Sequence, residues 1–96
     1  MIKKISDMTA ADKAAFLEKT KRAMLLEQGV PWEFMEAQIQ KEIDDTFDDE
    51  KFIKMSPDFR IDAAYARKEF GDKKPELVDY MLWMTKFVTK SDYVEF

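Results

Sequence analysis

The chain contains neither cysteine nor histidine. Without cysteine there is no disulfide, no zinc–thiolate centre and no thiol nucleophile. Without histidine the commonest general base, the commonest metal ligand and the usual pH switch near neutrality are all missing. No Ser-His-Asp or Cys-His arrangement can be assembled. A di-iron bundle built on Glu-x-x-His pairs is excluded on the same ground. Asparagine is absent too, so no N-glycosylation acceptor exists. The only glycines, Gly29 and Gly71, stand too far apart to form a loop that cradles phosphate. No apolar run approaches the roughly 20 residues of a membrane span. The lysines of Met1-Ile2-Lys3-Lys4-Ile5-Ser6-Asp7 are not followed by the apolar stretch of a signal peptide. These absences predict no enzyme, no cofactor, no metal site and no membrane partner. They predict a cytoplasmic protein, which for a phage-encoded chain means the host cytoplasm.

What the chain does have is apolar mass and charge. It carries eight Phe, seven Met, two Trp and three Tyr in 96 residues, with 38 % of positions charged. Disordered chains lack that aromatic load, so a folded protein is expected. The length suits one domain, residues 1–96.

Glycine and proline punctuate the sequence. Gly29 and Gly71 stand where helices should stop, and Pro31, Pro57 and Pro75 where they should start. The reading is all-α: a compact bundle of four helices at about 9–28, 31–47, 57–70 and 75–90, with a short helical turn near 49–55. Thr9 can cap the first helix, with Asp12 three residues on. Its buried stripe is expected at Ala10, Ala14, Leu17, Met24 and Leu25, widened by Phe16 and Ala23. Trp32, Met35, Ile39, Ile43 and Phe47 form the clearest stripe, on the second helix. Trp32 reads as the first core residue of that line, or else as an exposed anchor for a partner. Phe52 would fall on the polar side if this helix ran on, so a break is expected between Phe47 and Glu50, capped by Asp48 or Asp49. Ser56 and Pro57 open the third helix, whose inward line is Phe59, Ala63, Ala66 and Phe70. The fourth is apolar around nearly its whole circumference. It is therefore central, or covered by a second copy. Tyr93, Val94 and Phe96 suggest a tail that docks.

One local asymmetry stands out. Residues 36–50 hold seven carboxylates against one base, Lys41, a net of −6 in a chain whose total is −4. Such a field attracts cations or basic surfaces. The knot lacks the ligand order and central glycine of an EF-hand. A carboxylate-only magnesium site at Asp44, Asp45, Asp48 and Asp49 is the weakest reading. A solvated helix face is the plainest. Residues 51–74 lean basic, with Arg60 and Arg67 on one face, but the pI of about 4.9 argues against direct nucleic-acid binding. Those bases are better read as neutralising the acids, within one chain or between copies.

Two functions remain. In the first, Asp44, Asp45, Asp48, Asp49 and Glu50, with Lys41, dock on a basic surface of another protein, such as a nucleic-acid-binding protein. The chain would then be an inhibitor or regulator, at the extreme a mimic of nucleic-acid phosphate like those phages deploy against host defences. In the second, the bundle self-assembles through its apolar fourth helix, with Tyr80, Trp83, Met84 and Phe87 at a homodimer interface, in a structural role or one that binds a small ligand.

Overall fold

The computed structural model describes residues 1–96, with five helices and one small sheet: β1 (Ile2–Lys4), a single 3₁₀ turn (Ile5–Asp7), α1 (Ala10–Gln28), α2 (Trp32–Thr46), α3 (Asp49–Lys54), α4 (Pro57–Phe70), α5 (Leu77–Thr89) and β2 (Tyr93–Glu95). The all-α bundle expected from the sequence is what forms, with α3 as the short turn after the break. No helix is long and apolar enough to cross a membrane.

Local chemistry sets the helix ends. The Asp12 N–H donates to Thr9 Oγ1 at 3.2 Å, and the Thr9 N–H donates to the Asp12 carboxylate at 3.0 Å, closing a capping box. Gly29 ends α1 with φ +65°, a left-handed conformation that costs a residue with a Cβ more than glycine. The break after α2 falls at Phe47. There the Asp48 carboxylate accepts the Lys51 N–H at 3.1 Å and starts α3. Ser56 differs from expectation. Its side chain makes no capping bond, and α4 starts instead on Pro57 and a backbone bond from the Arg60 N–H to the Ser56 carbonyl. Pro75 lies two residues ahead of α5, and Glu76 takes the position before Leu77.

The Asp12 carboxylate accepts from a second donor, Lys3 Nζ at 2.6 Å, so β1 is tied to the start of α1. The lysine bond first, then the Thr9 N–H, keeps this carboxyl below the usual 3.8. A group depressed in the folded state stabilises above its unfolded value and loses that contribution as pH falls through the folded one. The thermal midpoint should therefore fall on acidification below pH 3.8, and Asp12→Asn should show a shallower fall. Melting curves collected down the acid range decide this. Equal slopes would mean the Asp12 bonds do not persist in solution.

The core has two clusters, and α5 supplies both. Met81 and Leu82 join Met8, Phe16 and Val94, backed by Trp32, Ile39 and Leu77. Tyr80 joins Ile43 and Ala66, backed by Phe47, Phe70, Trp83 and Met84. An apolar circumference is what a helix between two clusters requires. Trp32 is half-buried core, with Lys21 Nζ 5.7 Å above its ring.

Four inward positions read from the sequence turn out to face water. Leu25 is 59 % exposed, and Ala10 and Ala14 are exposed with it. Of the expected stripe, α1 keeps Phe16 buried with Leu17 packed beside it, because one phenylalanine buries more apolar area than two alanines. Phe59 is 72 % exposed, although Ala63 and Ala66 on the same line are buried. The tail docks as a strand. β2 pairs antiparallel with β1 in the register Ile2↔Glu95, Lys3↔Val94, Lys4↔Tyr93, and the Val94 side chain plugs the first cluster.

Candidate functional site

The acidic knot is met by bases of the same chain. Asp44 pairs with Lys74 and accepts from Gln40. Asp45 pairs with Lys51 at 3.2 Å, Glu50 with Lys54 at 3.1 Å, and Asp49 with Arg67. Asp48 is occupied as the cap of α3. Arg67 also donates to Asp72 and stacks 4.7 Å over Phe52, fixing α3 against α4. The Lys74 bond, ahead of Gln40, holds the Asp44 carboxyl below its usual range. Four of the seven bases of residues 51–74, Lys51, Lys54, Arg67 and Lys74, thus compensate the knot within the chain. These pairs are largely exposed, and pairs of that kind are worth little and exchange readily. No three carboxylates are grouped as a metal ion would need.

A concave feature of the surface lies beside the knot. α2 runs close to both α4 and α5, whereas α4 and α5 approach less closely and meet through Ala66 and Tyr80 and the aromatic pairs Tyr65–Phe87 and Phe70–Trp83. The gap is a cleft of about 770 Å³. Tyr80, Trp83, Met84, Phe87 and Val88 of α5 form its floor. One wall is Gln38, Lys41, Glu42, Asp45 and Thr46 of α2, and the other is Phe59, Asp62 and Ala63 of α4 with Met55 and Ser56 before it. The floor is stacked aromatic surface: Trp83 lies 5.1 Å from Phe87 and 5.5 Å from Tyr80. Of its large apolar lining residues, Phe59 and Val88 are the most exposed, at 72 % and 75 %.

Charge is unevenly placed around that floor. Glu42, Asp45 and Asp62 face Lys41 alone. Asp45 has Lys51, but neither Glu42 nor Asp62 has a cationic partner in the chain. The Tyr80 hydroxyl donates to Glu42 at 3.1 Å. Burial first, then the Glu42 charge, pushes this phenol well above its ordinary 10.0, with a smaller push from Asp62. The buried hydroxyl is thus an un-ionised donor that positions Glu42, and the negative field at the cleft is felt down to its floor.

The two sets of residues singled out from sequence meet here in part. All four α5 residues, Tyr80, Trp83, Met84 and Phe87, line the cleft. From the acidic set only Lys41 and Asp45 do, while Asp44, Asp48, Asp49 and Glu50 lie elsewhere. Sequence reading missed Glu42, Asp62 and Met55 as site residues and assigned Phe59 to the core. A signal for Glu42 was present. Gln38, Lys41, Glu42, Asp45 and Thr46 recur at spacings of 3, 1, 3 and 1, a second face of α2 beside the apolar one. Asp62 and Phe59 carried no such mark, since their place depends on how far α4 overhangs α5.

Comparison of the chain with protein families, with curated proteins and with solved structures returns no match.

Proposed function

We propose that this chain is a small binding module, not an enzyme, and that it regulates or inhibits a protein partner by taking a basic, partly apolar element of it into the cleft between α2, α4 and α5. The observation that carries this reading is the pairing of an aromatic floor with two carboxylates, Glu42 and Asp62, that have no cation of their own. Buried aromatic surface supplies affinity at such interfaces. Rim charge supplies partner choice and association rate, and it weakens with salt. The exposed acids of the knot extend the same sign of field and can steer a basic partner toward the mouth.

The test uses side chains that can be changed without touching the core. Phe59→Lys and Val88→Lys alter exposed positions, so both variants should melt with the parent. Captured from lysate on immobilised wild type, the principal bound protein should be lost from both variants and retained by Asp48→Asn. Equal capture by all three chains would place the binding surface outside the cleft. If instead the wild type forms a discrete oligomer in high salt and Val88→Lys dissolves it, the cleft is covered by a second copy.

A further inference from the structure

The shape of the cleft says what kind of element enters it. Its floor residues on α5 recur at 80, 83, 84, 87 and 88, and its α2 wall residues at 38, 41, 42, 45 and 46. Each set is one helix face sampled over two turns, about 12 Å of helix length. The cleft is thus a short trough whose floor and long wall are both helical. Ridges of side chains at that spacing accept the ridges of another helix.

The backbone of the occupant points the same way. An extended segment laid on Trp83, Met84 and Phe87 would find no strand edge to pair with, because the only sheet, β1–β2, contributes nothing to the cleft. A helix satisfies its own backbone and brings only side chains. Met55 and Met84 supply unbranched, adaptable surface. Glu42 stands on the α2 wall and Asp62 on the α4 wall, so the unpaired charge flanks the trough on both sides.

We infer that the cleft takes an amphipathic α-helix of a partner protein, inserted by an apolar stripe of i, i+3, i+4, i+7 type with lysine or arginine on both flanks. Long basic side chains on such a helix lay their stems along the apolar walls and carry their charge to the rim. Recognition of this kind is helix-in-groove binding. The inference rests on the cleft being the interaction surface and adds the form of its occupant.

The probe is a synthetic 14-residue peptide of leucine and lysine, with leucine at the stripe positions. Its controls are a scrambled peptide of the same composition and an oligolysine of the same charge. Binding is read from Trp83 emission in a Trp32→Phe chain. The stripe peptide should shift that emission to the blue and bind at least tenfold more tightly than the scrambled one. The double variant Glu42→Gln, Asp62→Asn should weaken binding at least fivefold at low salt, with less difference between the chains at high salt. If scrambled and stripe peptides bind alike, helical recognition is overturned while a basic partner for the cleft stands. If the stripe peptide binds without moving Trp83 emission, or the double variant binds it as wild type does, the helix does not sit in this trough. If no basic peptide binds at millimolar concentration, both the helical occupant and the basic partner are refuted.

Discussion

Ile43→Ala should lower the unfolding free energy by about 3 kcal/mol, within the range for large-to-small changes at fully buried sites. Ile43 is 0 % accessible and sits at the centre of the second cluster with Ala66 and Tyr80. Its loss leaves a void that cannot close easily. Ala66 carries only a methyl group, too short to reach into it, and Tyr80 is held by its bond to Glu42. A chain of this length has a total stability of about 5–14 kcal/mol, so one substitution removes a large share. At about 4–8 °C per kcal/mol the midpoint should fall by about 12–24 °C. Phe59→Ala removes a larger side chain but should move the midpoint by less than about 3 °C, because Phe59 already faces water. Parallel thermal melts followed by circular dichroism give both numbers. Comparable shifts for the two variants would mean that α4 is turned differently on α2.

The second large effect is expected from Val94→Asp. Val94 is 7 % exposed and lies among Met8, Phe16, Met81 and Leu82. An unpaired carboxylate there must stay in a dry apolar pocket, ionise out of it, or take the strand with it. The third course is open, because β2 is three residues long and pairs only with β1. The expected result is a loss of more than about 3 kcal/mol, together with fast exchange of the Ile5 amide, which donates to the Asp92 carbonyl at 2.7 Å in the intact fold. Hydrogen exchange by NMR separates the outcomes. Slow Ile5 exchange with an unchanged midpoint would remove Val94 from the core.

How much of this was legible in the sequence follows from the range of the interactions. Helix ends set by neighbouring residues were readable: Thr9 with Asp12, Gly29, Gly71, and the break at Phe47 with Asp48 as its cap. The Ile39–Ile43–Phe47 line was readable because its spacing is strict. Rotation of a weakly patterned helix was not. α1 offers apolar residues on several sides, and only packing against α2 and the strand pair selects Phe16 over Leu25. Strands of three residues show no alternation to detect. The site was half visible. Apolar residues on all sides of α5 announced a surface needing a cover, and the acid count announced a field. That these meet in one cleft, and that Lys51, Lys54, Arg67 and Lys74 are already engaged by the knot, depends on contacts between distant residues.

The strand pair also orders events in folding. The N-terminal ammonium bonds the Phe96 carbonyl across a separation of 95 residues, and the ladder beside it is three residues deep. Closing so long a loop carries the full chain-entropy cost, which grows as the logarithm of its length, in return for a few hydrogen bonds and one buried valine. Helices formed from local contacts come together first. The termini are expected to meet after them, and the same short ladder, with Val94 drawn out of the core, is the expected place of first opening in the native chain.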